Sequence, residues 1–324
     1  LRWVAQRPQT AVLRPASQPS YLVSDYKKIA LNCLSTKVFM SYHSPALAAP
    51  TIESVIATHA ALRANTPLVQ CLTNVVSANF MANVLLSAGA APAMVDNPEE
   101  AADFARIAGA VLINLGTPNT AQVEGMRLAV AAAHDAGRPW VLDPIGAGGL
   151  AWRGSVAAQL LAFKPAVIRG NASEIIGLAG LGSHARGFDT SNDPAQAVPA
   201  AVQLLEHTAA VSASGAIDHV VGWVADAQNP PRPWLIKIAG GSAWLPKVTA
   251  SGCSLGALVA AYTAVASDYL TALVSAHVHF ALAAELAEAT AKGPGSFATA
   301  FIDGLDAVDA DLIRAKARFE ASPL

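Results

Sequence analysis

"AVLINLGTPNTAQVEGMRLAVAAAHDAGRPWVLDPIG", residues 110–146, holds two short apolar runs on either side of one long helical pattern. "AVLINLG" (110–116) and "PWVLDPIG" (139–146) are continuous apolar runs of strand length, the pattern of strands buried on both faces. "NTAQVEGMRLAVAAAHDAG" (119–137) predicts a helix that stops at Gly137, since glycine accepts the left-handed backbone that closes a helix. Strand, helix, strand in this order is the crossover that joins parallel strands.

The same alternation extends outward. "PLVQCLTN" (67–74), "PAVIRGN" (165–171) and "AAVSASG" (209–215) predict further strands. "NPEEAADFARIAGA" predicts a helix with Asn97 as N-cap, Pro98 at the first position and acids in the first turn. "HVVGWVAD" (219–226) and "PWLIKIAGG" (233–241), joined by the turn "AQNPPR", predict an antiparallel hairpin at one edge of the sheet. Beyond residue 252 the pattern is helical to the end, with a break at "KGPGS" (292–296). There is no repeat and no linker. The expectation is a single-domain α/β layered fold, with a mostly parallel central sheet and helices on both faces.

The chain has 324 residues, 53% hydrophobic and 14% charged, with net charge −2. A balance so near neutral gives neither nucleic acid nor a membrane surface a reason to bind, and points to a small-molecule partner. The apolar run around 255–265 is interrupted by Gly and Tyr and is too short to span a bilayer. Cys33, Cys71 and Cys253 are too scattered for a disulfide framework or a cysteine zinc site, and suit a reducing cytoplasm. Residues 1–39 carry six basic residues against Asp25 alone, and a normal beginning follows at Met40. Two readings stand for this leader: a transit peptide, or an over-extended start that is non-native or disordered. The domain is then 40–324.

In parallel sheets ligands bind beyond the carboxyl ends of the strands. Asn74, Asn114, Asp143, "RGN" (169–171), "SASG" (212–215) and "TASGC" (249–253) all fall there, although polar residues at strand ends are also ordinary loop chemistry. Asn171 and Glu174 have the spacing of a capping box. The competing reading turns Glu174 toward a metal–phosphate group, with Arg169 as anion clamp and Asp143 as a second hard oxygen ligand. "KVTASGCSLGALVAAYTAVAS" (247–267) runs from a strand-like end through small residues into a helix, so its first N–H groups form an anion site. A thiol there is expected to have a lowered pKa; the alternative is that Cys253 is a small packed hydrophobe. His277 and His279, two apart on a helix, point to different faces and do not predict a metal site. No Walker-type phosphate loop and no dinucleotide fingerprint occurs.

"CLTNVVSANFMANVLLSAGAAPAMVDNPEEA", "LINLGT", "VLDPIGAG", "IRGNASEI", "KVTASGCSLGA" and "KGPGSF" stand in the order seen in hydroxyethylthiazole kinases, members of the ribokinase-like superfamily. The resemblance covers about residues 51–315. It implies Mg²⁺- and ATP-dependent phosphorylation of 4-methyl-5-(2-hydroxyethyl)thiazole on the salvage route to thiamine, in a homotrimer with the thiazole between subunits. It implies further that Met94, Ala250 and Asn74 meet the substrate, that Arg169 and Ser214 bind ATP, and that Asp143 and Glu174 serve the metal. Cys253 stands where most ribokinase-like enzymes have a catalytic Asp. The chain departs from the commonest pattern at Ala250, often Gly, and at Ser254. Two rival functions remain at this point: a kinase for another small alcohol such as hydroxymethylpyrimidine, and a non-catalytic thiazole- or nucleotide-binding homologue.

Overall fold

The computed structural model describes residues 45–182, 193–226 and 229–324. The leader assigned to residues 1–39 lies outside them. The chain runs through α1 (Ile52–Asn65), β1 (Leu68–Leu72), α2 (Ala78–Ala88), β2 (Ala91–Ala93), α3 (Ala101–Ile107), β3 (Ala110–Asn114) and α4 (Thr120–Asp135). Then come β4 (Trp140–Asp143), α5 (Ala151–Leu160), β5 (Val167–Asn171), α6 (Ala172–Leu178), α7 (Val198–Leu204) and β6 (Ala210–Ser214). It ends with β7 (Ile217–Asp226), β8 (Asn229–Ala239), α8 (Ser251–Thr263), α9 (Tyr269–Thr290), α10 (Pro294–Ala307), α11 (Ala310–Lys316) and β9 (Arg318–Pro323).

Among the described residues these strands form one sheet in the order β2-β1-β3-β4-β5-β6-β7-β8-β9. Every pair from β2 to β6 is parallel, and the pairs from β6 to β9 are antiparallel. Side chains alternate between the two faces of a strand. Val69 and Cys71, Leu112, Val141, Val167 and Ala210 join α1, α2, α8, α9 and α10 in one core. Leu72, Val111, Ile113, Leu142, Ile168 and Val211 join α3, α4, α5 and α7 in another. This is the expected layered fold, with helices on both faces of a mostly parallel sheet. Asn119 caps α4 by accepting from Gln122 N, and Gly137 closes it at φ +64°.

Five details differ from expectation. The strand-like run at 247–249 is no strand: Leu245–Lys247 is one turn of 3-10 helix that leads into α8. α3 starts at Ala101, although Asn97 still caps the turn before it, its side chain accepting from Glu100 N. The three-residue β2 contains Pro92, which an outermost strand tolerates. The hairpin β7–β8 is not the edge, because β9 pairs with β8 from Trp234↔Pro323 to Ala239↔Arg318. Phe319 and Ala321 lean on the core while Arg318 and Glu320 face outward, a strand alternation at the end of a long helical region. Finally, α9 is long and apolar enough to cross a membrane, yet 89% of that stretch is buried inside the protein. It is a core helix.

Candidate active site

The period-two alternation that places Leu112, Val141, Val167 and Ala210 in the core under α8 also sets the next residues on that face. Two residues on, toward the carboxyl ends, come Asn114, Asp143, Arg169 and Ser212, with Asn171 and Ser214 beyond. Strand pairing brings Asn114 beside Asp143 and Asn171 beside Ser214. α8 begins directly against this rim. Its glycine at 256 permits the approach: a Cβ there would stand 3.1 Å from Asp143 Oδ2.

The polar side chains are joined in sequence along the rim. Asn74 Nδ2 donates to Asn114 Oδ1 at 3.1 Å and reaches Cys253 Sγ at 3.9 Å. Asn74 Oδ1 accepts from the Ser77 N–H and hydroxyl, both at 3.0 Å. Asn114 Nδ2 donates to Asp143 Oδ2 at 3.0 Å. Arg169 Nη1 lies 3.5 Å from the same oxygen and donates to Gly252 O at 2.9 Å. Arg169 Nε and Nη2 donate to Ser214 Oγ at 3.2 and 3.0 Å. Five predicted site residues, Cys253, Asn74, Asp143, Arg169 and Ser214, therefore form one hydrogen-bonded chain through Asn114.

Glu174 realises the capping box. Its Oε2 accepts from Asn171 N at 2.8 Å while Asn171 Oδ1 accepts from Glu174 N at 2.9 Å. Its Oε1 also accepts from Gly146 N at 3.3 Å. Glu174 is near enough to Asp143 for its charge to act there. Met94 follows β2 and stands outside the hydrogen-bonded chain, about a third exposed at 36%. Its loop is tied to the rim by Gln70, which donates to Val95 O, and by Gln122, which donates to Asp96 Oδ2 at 2.9 Å and Thr73 O at 3.3 Å. Gln70 and Gln122 lie far from Met94 in sequence, and nothing in their own segments marks them.

Ala250 occupies the N-cap of α8 in the left-handed region, at φ +73°. Its carbonyl accepts from the Ser254 N–H and hydroxyl at 2.9 and 2.8 Å. No side chain caps α8. The first N–H groups of a helix have no partner within it; that of Ser251 donates back to Val248 O at 3.3 Å, which leaves those of Gly252 and Cys253 to bind an anion.

Burial and the neighbouring Asp143 carboxylate push the Cys253 thiol up, against the pull of Ser77, Asn114 and Arg169. The expected lowering at a helix start is therefore reversed: desolvation outweighs the helix dipole, and the thiol keeps its proton at neutral pH. Burial also pushes the Asp143 carboxyl up to about 7, with Arg169 opposing and Glu174 reinforcing. Asp143 Oδ1 is buried with no hydrogen-bond partner among the described residues.

A model of the Hydroxyethylthiazole kinase family matches residues 59–311. The chain belongs to the hydroxyethylthiazole kinase family. It is similar, at 55% identity over 274 residues, to the hydroxyethylthiazole kinase of Rhodococcus erythropolis, covering 85% of this chain and 96% of that one. Among solved structures, a hydroxyethylthiazole kinase protein from Pyrococcus horikoshii superposes with TM-score 0.74 at 33% identity, covering 83% and 99% of the two chains. A ribokinase-like superfamily protein from Enterococcus faecalis shares the fold, with TM-score 0.52 at 11% identity over 80% and 95%. Family membership makes the chain a phosphotransferase with ATP as co-substrate.

Proposed function

We propose that the rim transfers the terminal phosphoryl group of ATP to the hydroxyl of 4-methyl-5-(2-hydroxyethyl)thiazole, a step of thiamine salvage in the cytoplasm. One observation carries this reading: the hydrogen-bonded chain from Cys253 to Ser214 ends against a helix start that no side chain caps. Such a start favours the charge of a transferring phosphoryl group. Arg169 and Ser214 lie at the nucleotide end, Cys253 and Asn74 at the alcohol end, and Asp143 between them.

In this reading the alcohol oxygen attacks the terminal phosphorus and the bond to the bridging oxygen of ADP breaks. The transition state is loose, so the alcohol proton leaves late and no strong base is needed. A thiol that keeps its proton suits this chemistry. Cys253 orients the alcohol and does not remove its proton. The backbone N–H groups of Gly252 and Cys253 hold the phosphoryl oxygens, and Arg169, fixed by Gly252 and Ser214, holds the nucleotide phosphates.

The residues present fit a magnesium ion. Among the described residues no cluster of three or more His, Cys, Asp or Glu side chains is suited to a metal. Mg²⁺, however, is commonly held by one or two carboxylates together with substrate phosphates. Asp143, whose Oδ1 has no other partner, and Glu174 would hold it. When bound, the ion neutralises phosphate charge.

Met94 and Ala250 are assigned to the thiazole ring. Val75 and Val76, 84% and 60% exposed beside Asn74, give the alcohol end an apolar border that suits a neighbouring subunit of a homotrimer. The discriminating experiment offers the purified protein Mg-ATP with the thiazole alcohol, hydroxymethylpyrimidine or no acceptor. ADP release should be stimulated by the thiazole alcohol alone. Stimulation by the pyrimidine, or binding without turnover, would overturn the assignment.

A further inference from the structure

α9 carries a second polar constellation away from the reacting groups. His277 Nδ1 lies 2.6 Å from Asp218 Oδ2, and His277 Nε2 lies 3.0 Å from Ser212 Oγ. Serine, histidine and carboxylate in this order resemble a hydrolytic triad. Ser212 is fully buried and His277 nearly so, however, and no substrate reaches a hydroxyl sealed in that way. The unit must act on the structure around it.

That structure is the nucleotide end of the rim. Ser212 and Ser214 project from the same face of β6, and Ser214 accepts from Nε and Nη2 of Arg169, whose Nη1 is held by Gly252 O. The Asp218 carboxylate has two partners on different elements. Its Oδ2 meets His277 of α9, and its Oδ1 accepts from the Gly215 N–H at 2.9 Å. It thereby closes the β6–β7 turn directly after Ser214. On the other side, Gly215 packs so tightly on Pro194 that a Cβ has no room. The strand is gripped before Ser214 through Ser212 and after it through Gly215.

We infer that Asp218 and His277 are positioning residues for nucleotide binding: they fix the height of Ser214, and through it the aim of the Arg169 guanidinium. The inference rests on the assignment of Arg169 and Ser214 to ATP. An ionised carboxylate only accepts, so the ring donates from Nδ1 to Asp218 and Nε2 faces the Ser212 hydroxyl. An Asn at 218 can keep the geometry. Its oxygen accepts from Gly215 and its amide donates to Nδ1, with the ring proton moved to Nε2 to face Ser212. An Ala at 218 releases both partners.

The test measures Kd for Mg-ATP and KM for the thiazole alcohol in the full chain and in Asp218→Ala, Asp218→Asn and Ser214→Ala. Asp218 is preferred to the sealed His277 because its side chain is 18% exposed and its loss is better tolerated by the fold. Asp218→Ala should weaken Mg-ATP about tenfold, the scale of one lost charge-assisted hydrogen bond, while KM for the alcohol stays unchanged. Asp218→Asn should restore ATP affinity to within about twofold. If Asp218→Ala leaves ATP affinity intact while Ser214→Ala weakens it, the positioning role is wrong and the ATP assignment stands. If Asp218→Ala weakens ATP and alcohol alike, the effect is general loosening and the positioning role is again wrong. If Ser214→Ala also leaves ATP affinity intact, the nucleotide assignment falls and the inference with it.

Discussion

Ala250 holds a left-handed backbone, φ +73°, at the mouth of α8. For a residue with a Cβ this conformation costs about 1–2 kcal/mol, while glycine adds about 0.5–1 kcal/mol of unfolded-chain entropy. Ala250→Gly should therefore stabilise the protein by roughly 0.5–1 kcal/mol, read as a small rise in Tm. A fall in Tm would mean that the Ala250 methyl makes packing contacts worth more than the strain. Cys253 gives a sharper expectation. With its thiol pushed up by burial and Asp143, Cys253 should not set the acid limb of the rate. Cys253→Ala should fold normally, lose about tenfold in kcat, the scale of one lost positioning contact, and keep the shape of the pH–rate profile. A loss of about a thousandfold or more, with a limb of the profile abolished, would make Cys253 a true base. Glu174→Gln keeps one accepting oxygen, enough for the Asn171 N–H of the capping box, and gives up the longer bond from Gly146 N, so Tm should fall only slightly while the Mg²⁺ concentration needed for half-maximal rate rises. A large fall in Tm with unchanged Mg²⁺ response would confine Glu174 to capping.

At the scale of elements, α1, α8 and α9 meet around a buried pair of histidines. The rings of His59 and His279 lie 4.9 Å apart, edge to face. His279 pairs with the Tyr262 hydroxyl and with Leu305 O, both at 2.9 Å, whereas His59 Nε2 is buried with no partner among the described residues. Burial, then the Arg63 charge, lowers His59 to about 4, with Asp309 opposing. Burial and then His59 lower His279 to about 3. An imidazole ordinarily titrates near about 6.5. As pH falls below that value the unfolded chain takes up protons that the folded chain refuses. The stability the neutral pair contributes is complete above about 6.5 and is lost as pH falls toward 4 and 3. Asp143 acts in the opposite sense between about 7 and the ordinary carboxyl range, but it stands against the pair and against His207, which burial also lowers. His59→Leu removes one of the two protons and an unpaired polar atom. The drop in Tm between about pH 7 and about pH 5 should be smaller than in the parent, with Tm at neutral pH unchanged or higher. Equal drops in both proteins would show that another group sets the acid limit.

For the molecule as a whole, the parallel core was legible because strands buried on both faces read as unbroken apolar runs between capped helices. β9 was not, because Arg318 and Glu320 break its run and its six residues become a strand only where β8 offers a free edge. The rim was half legible. Polar residues at strand ends announce themselves, as Asn74, Asp143 and Arg169 did. Asn114 stood out only as another strand end, and its link between Asn74 and Asp143 exists only once β1, β3 and β4 are laid side by side. The spacing of His277 and His279 sets them on different faces, as found, but a partner 59 residues away, such as Asp218, is invisible along the chain. The direction of the Cys253 shift is illegible for the same reason: a helix start is local, whereas burial depends on everything packed around it. The measurement that bears most directly on the whole account is phosphorus NMR of the protein with Mg-ATP and the thiazole alcohol, run beside an Arg169→Ala variant. The parent should convert the alcohol to its phosphate ester in step with ADP, and the variant should need far more ATP for the same rate. ADP formed without the ester, or a variant with unchanged ATP dependence, would contradict it.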